Sequence, residues 1–129
     1  MIAIDTNVLV RLLTRDDEQQ FLAASALFTK NDIFIPESVL LETEWVLRYA
    51  YQFSPTAIFD ALSKTLGLPN VKTERSGVVA QAIDLARQGL DFADALHLAA
   101  SQGCAALATF DAAFIKKAKG LTGCTVKKP

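Results

Sequence analysis

Short apolar runs alternate with amphipathic helical stretches along this chain, and that alternation points to the α/β class. Met1-Ile2-Ala3-Ile4 is apolar, Asp5 ends it, and Val8, Leu9, Leu12 and Leu13 follow at helical spacing. This reads as a buried strand, a carboxylate at its C-terminal tip, and a helix start. Ile33-Phe34-Ile35, stopped by Pro36, reads as a second buried strand. Ala105-Ala106-Leu107-Ala108-Thr109, tipped by Phe110-Asp111, reads as another. Strands that alternate with helices imply a mostly parallel sheet, whose C-terminal tips line one edge. Ligands of open α/β sheets bind at those tips.

The helices between the strands carry their own start and stop signals. The charged turn Arg15-Asp16-Asp17-Glu18 suits a helix N-terminus, and Phe21, Ala24, Leu27 and Phe28 recur after it until Lys30-Asn31-Asp32 breaks the pattern. A helix is expected from about Glu37 to about Tyr51. Ser54-Pro55 supplies an N-cap and a first-turn proline for the next, which Gly67 and Pro69 close. Val71 lies in a short extended segment. Val78, Val79, Ala82, Ile83 and Ala86 carry a helix that ends at Gly89, and Asp91 opens another that ends at Gly103. Ala112, Phe114 and Ile115 begin a helix with Lys116, Lys117 and Lys119 near its end, and Thr125-Val126 is expected as a last edge strand.

The 129 residues suit a single domain, 1–129, with one core. At 51% hydrophobic and 21% charged the chain is globular rather than disordered. No apolar run approaches the roughly 20 residues that span a bilayer, and Asp5 interrupts the N-terminal run, which argues against a signal peptide. Two cysteines, Cys104 and Cys124, form neither a disulfide framework nor a zinc motif, so a reducing cytoplasm is the expected location.

Chemistry is carried by the acids. Asp5 admits two readings, a helix cap or an active-site carboxylate, and Thr6 or Asn7 could equally cap the first helix. On a wheel of about 100° per residue, Glu42 falls in the middle of Ser38, Val39, Trp45, Val46 and Tyr49. A carboxylate on so apolar a face needs a donor or a cation. Glu44 falls on the far side, one turn before Arg48, as an ordinary solvent-facing pair. Asp91 suits a helix N-cap. Asp94, a turn further in among small residues, lies too deep for the helix dipole to be its main purpose. The single histidine, His97, is off that face and reads as structural. Asp5 and Asp111 end strands, so four acids share one logic without a serine, cysteine or histidine to complete a triad. Grouped hard oxygen ligands suit Mg²⁺ or Mn²⁺, ions that clamp the oxygens of a phosphodiester and help to generate hydroxide. No Walker loop, GxGxxG, GxSxG or HExxH motif is present.

The segments "IDTNVLVRLLTRDD", "IPESVLLETEWVL", "GLDFADALHLA" and "LATFDAAF" resemble the PIN domain, specifically the VapC-type toxin nucleases of bacterial toxin–antitoxin pairs. The similarity runs over essentially the whole chain. It implies a three-layer α/β/α fold of RNase H-like nuclease architecture, with a mostly parallel central sheet and the Asp5 and Asp111 strands side by side. It implies a Mg²⁺-dependent endoribonuclease, with Mn²⁺ able to substitute, whose metal-binding acids are Asp5, Glu42, Asp94 and Asp111. Asp91 matches a further acid often found beside such a site, and Thr6, Asn7 and Thr109 match polar residues that orient the acids. It implies an RNA substrate, a cognate antitoxin that covers the acids, and a homodimer, with no membrane involved.

Two rivals follow from the same residues. A HAD-type phosphatase would use Asp5 as a nucleophile, but needs a second acid two residues on, where this chain has Asn7. A degenerate PIN-like module would only bind RNA or protein, and would be expected to have lost some of the acids. The net charge of −1 gives no nucleic-acid signature by itself. Setting the four acids aside leaves ten acids against 13 basic residues, a surplus of three positive charges. Arg11 and Arg15, which follow the Asp5 tip, and Lys116, Lys117 and Lys119, which follow the Asp111 tip, are the candidate RNA-binding rim. The arginines are favoured because a guanidinium matches phosphate in a bidentate way.

Overall fold

The computed structural model describes residues 1–129 and contains seven helices and five short strands in alternation. Contacts divide the chain into two compact units, Met1–Ser76 and Gly77–Pro129.

The first unit runs β1 (Ile2–Ala3), α1 (Thr6–Thr14), α2 (Glu18–Lys30), β2 (Ile33–Phe34), α3 (Glu37–Tyr49), α4 (Pro55–Leu66) and β3 (Val71–Lys72). Its strands form a parallel ladder in the order β1-β2-β3, with Ile2 opposite Ile33 and Ile33 opposite Val71. The Ile4 N–H donates to the Phe34 carbonyl at 3.1 Å and the Ile35 N–H to that of Lys72 at 2.8 Å, so pairing continues to the strand tips. Leu9, Ile33, Ile35, Leu40, Leu47, Ile58 and Leu62 are fully buried. The Asn70 amide donates to the carbonyls of Phe28 and Asn31 at 2.7 and 2.8 Å. It thereby ties the end of α2 to the start of β3. Ser54 caps α4 with Pro55 in its first turn and Gly67 at its end, as the sequence signals predict.

The second unit contains α5 (Ser76–Arg87), which opens at the boundary, then α6 (Phe92–Ala100), β4 (Ala106–Ala108), α7 (Ala112–Ala118) and β5 (Thr125–Lys127). β4 and β5 pair in parallel, Ala106 opposite Thr125, and the Thr109 N–H donates to the Lys127 carbonyl at 2.9 Å. Gly89 turns the chain between α5 and α6 at φ +112°, a conformation that side chains oppose. Phe92, Ala95, Leu96, Leu98 and Ala99 bury one broad side of α6.

The expected α/β class with parallel strands holds: every strand pairs in parallel, β1-β2-β3 in the first unit and β4-β5 in the second. Two expectations are corrected. β1 is not buried. It is the edge strand of its ladder, Ile2 and Ala3 are exposed, and burial begins at Ile4. The inward face of α3 is also displaced. Glu42, Trp45 and Tyr49 point outward, while Val39, Leu40, Thr43, Glu44 and Leu47 are buried. Val39, which the wheel groups with Glu42, is buried all the same, so the inward face is turned around the helix toward Thr43 and Leu47 rather than fully reversed; the large rings drew the inward assignment toward Glu42. No helix is long and apolar enough to cross a membrane.

Candidate active site

Asp5 and Asp111 occupy equivalent local settings. Each follows a short strand and caps the helix after it. Asp5 Oδ1 accepts from the Asn7 N–H at 2.9 Å, and Asp111 Oδ1 accepts from the N–H groups of Ala113 and Phe114 at 2.9 and 3.1 Å. The cap and active-site readings of Asp5 are therefore compatible, because the cap uses one oxygen. Neither Oδ2 is engaged, and both residues are exposed. Asp5, not Thr6 or Asn7, is the cap of α1.

Thr6 does something else. Its hydroxyl donates to Glu42 Oε1 and so joins the first turn of α1 to the middle of α3. Glu42 is exposed rather than buried, so the Thr6 hydroxyl, not an apolar surround, fixes its carboxylate. Thr109 Oγ1 accepts from the Asp111 N–H at 3.1 Å, which shapes the turn that presents Asp111. Asn7 contributes only its backbone N–H to Asp5.

In the second unit, Asp91 caps α6 and accepts from the Asp94 N–H at 3.3 Å. Asp94 is half-buried and lines an open depression with His97, Leu107, Thr109 and Phe114. Burial pushes its carboxyl above the ordinary aspartate range, and the nearby charges of Asp91 and Asp111 push it further. His97 and Lys117 oppose that shift. His97, read from the sequence as structural, is exposed and stands at position i+3 from Asp94 on α6.

The candidate rim residues differ in their engagement. The Arg11 guanidinium donates to Gln20 at 2.6 Å, to both Asp16 oxygens at 3.1 and 3.2 Å, and to the Tyr51 hydroxyl at 3.1 Å. Tyr51 in turn donates to Asp16 and, as the largest influence, holds that carboxyl below its usual range. Arg15 pairs with Glu18 at 2.8 Å and lies 4.3 Å from the centre of the Phe21 ring. Both arginines thus fasten the α1–α2 turn. Lys116, Lys117 and Lys119 are exposed.

Within either unit, no three acidic, histidine or cysteine side chains gather into an ion-holding group. The donor chemistry nevertheless fits a hard divalent cation. All the donors are carboxylates, and a cation would favour the ionised form of Asp94 that burial first, and then the charges of Asp91 and Asp111, disfavour.

Carboxylates at strand tips of an α/β scaffold stand where such sheets bind their ligands. The PIN domain pattern matches residues 2–120, across both units, and the chain belongs to the PIN domain family. PIN domains are generally metal-dependent nucleases and typically use Mg²⁺ or Mn²⁺. The match favours this family over a HAD-type phosphatase. No match was found among curated proteins.

Proposed function

We propose that this PIN domain is a divalent-metal-dependent endoribonuclease and the toxin of a VapC-type toxin–antitoxin pair, with Asp5, Glu42, Asp94 and Asp111 holding Mg²⁺ or Mn²⁺. The observation that supports it most is that Asp5 and Asp111 each stand at the end of a strand with one carboxylate oxygen held by helix amides and the other open, in a chain of this family. When bound, the cation supplies Lewis-acid stabilisation of phosphodiester oxygens and makes water acidic enough to attack near neutral pH. The chain's own work is positioning. Helix amides hold Asp5 and Asp111, the Thr6 hydroxyl holds Glu42, and Asp91 fixes the first turn of α6 that carries Asp94. Lys116, Lys117 and Lys119 are the better candidates for phosphate contacts, since Arg11 and Arg15 are committed to the α1–α2 turn.

The reading also includes a small cognate antitoxin that covers the acids and a homodimeric state. Purified protein is expected to cut single-stranded RNA only with Mg²⁺ or Mn²⁺, to stop with EDTA, and to lose more than the 10–100-fold typical of a disturbed outer shell when Asp5→Asn is introduced. Equal cleavage by the wild type and Asp5→Asn, with contaminants excluded, would remove the assignment. Expression alone is expected to slow growth, and co-expression with the product of the neighbouring gene to restore it. Normal growth at confirmed soluble expression would remove the toxin role and leave the nuclease.

A further inference from the structure

Two of the largest rings in the first unit lie open to solvent on a helix face that the sequence pattern would bury. Trp45 is 56% exposed and Tyr49 is 59% exposed. Their ring centroids are 5.1 Å apart, and the Arg48 guanidinium carbon lies 4.7 Å from the centre of the Tyr49 ring. Single exposed apolar residues need no explanation, but a paired Trp and Tyr on one face do. Both rings share that face with Glu42. Trp45 is one turn further along α3 and Tyr49 two turns, about 4.5 and 10.5 Å along the axis. The second unit repeats the association, for Phe110 is 83% exposed and immediately precedes Asp111. In each unit, an exposed ring accompanies a candidate metal-binding acid.

We propose that Trp45 and Tyr49 are base-stacking residues that hold single-stranded RNA beside Glu42, and that Phe110 has the same role beside Asp111. The inference rests on the nuclease reading and adds how the substrate is held. Every base presents a π-face, so rings bind single strands with little regard to sequence, whereas a duplex keeps those faces hidden. The outward face of α3 suits bases better than phosphates. Arg48 is ion-paired with Glu44 at 2.9 Å, so the face offers rings rather than free positive charge. It suits a strand better than a covering protein as well. The polar residues Ser38 and Glu42 are exposed on it, and a permanent cover there would shut Glu42 away from the substrate.

Trp45 is the only tryptophan in the chain, so intrinsic fluorescence reports on that ring alone. The test uses Asp5→Asn protein, which leaves RNA uncut, a short unstructured oligoribonucleotide, and an abasic oligomer of equal length and charge. The RNA is expected to quench Trp45 and the abasic oligomer not to. Adding Trp45→Ala should weaken RNA binding about tenfold with the slope of log affinity against log salt unchanged, and Trp45→Phe should restore most of it. With Asp5 intact, Trp45→Ala should raise KM more than it lowers kcat. If RNA binds without quenching and Trp45→Ala binds as tightly as its parent, stacking is wrong and the nuclease reading stands. If labelled RNA neither binds nor is cut, both readings fail. If the fluorescence instead follows protein concentration without RNA, and Trp45→Ala halves the molecular mass in solution, the face is an interface between copies and the proposal is overturned.

Discussion

Asp94→Asn is expected to abolish cleavage and, in the same protein, to raise thermal stability at neutral pH. The two effects have one origin. The Asp94 carboxyl is raised above its ordinary range by burial first and by Asp91 and Asp111 next. A carboxyl raised in the folded state binds its proton more tightly there than in the unfolded chain. Its stabilising contribution is present below the unfolded value and is lost as pH rises through the folded one. At pH 7 the ionised group therefore opposes folding, and an asparagine of nearly the same shape does not. The stability advantage of Asp94→Asn should vanish below about pH 4, where the wild-type group is protonated in both states. Melting curves at several pH values measure it directly. Mg²⁺ should reverse the order at neutral pH, because an ion that binds only the folded wild type raises its melting temperature and leaves the variant unmoved. A variant less stable than the wild type at neutral pH without metal would mean that a donor, not crowding, governs Asp94.

The elements of this fold were legible because their signals are local. Ser54-Pro55, Gly67, Gly89 and Asp91 mark helix ends through backbone geometry that any context preserves, and the structure has turns or caps at each. The acids at the ends of strands were legible for the same reason, since a carboxylate between an apolar run and a helix has few alternatives to a cap. Burial was less legible, because it depends on what covers a surface. Ile2 and Ala3 have the composition of a buried strand but occupy the edge of a ladder. Arg11 and Arg15 have the composition of a phosphate-binding rim, yet Asp16, Tyr51, Glu18 and Phe21 occupy them. Tyr51 lies 40 residues from Arg11, and no spacing rule reaches that far. The Thr6–Glu42 bond is equally non-local, and only the family resemblance pointed to Thr6 as an orienting residue.

The turned inward face of α3 gives the second large expectation, because it reverses the roles of two glutamates two residues apart. Glu42 is exposed and Glu44 is 4% exposed. Glu42→Gln removes a charge from the surface and keeps an oxygen that can accept from Thr6, so stability should change by no more than about 0.5 kcal/mol. Activity should fall by more than the 10–100-fold typical of a disturbed outer shell, because a ligand itself is changed. Glu44→Ala removes a buried carboxylate ion-paired with Arg48 at 2.9 Å and leaves its buried space unfilled. Breaking a fully buried pair typically costs about 3–5 kcal/mol. The Arg48 side chain is 34% exposed and can turn to water, which lowers the expected loss to roughly 2 kcal/mol, a fall of several degrees in melting temperature. The Glu44→Ala protein that remains folded should still cleave RNA. Chemical denaturation and cleavage rates on the two variants separate these outcomes. If Glu44→Ala lost activity at unchanged stability while Glu42→Gln unfolded more easily and still cut, the inward face of α3 would be the one that carries Trp45 and Tyr49, and Glu42 would be structural.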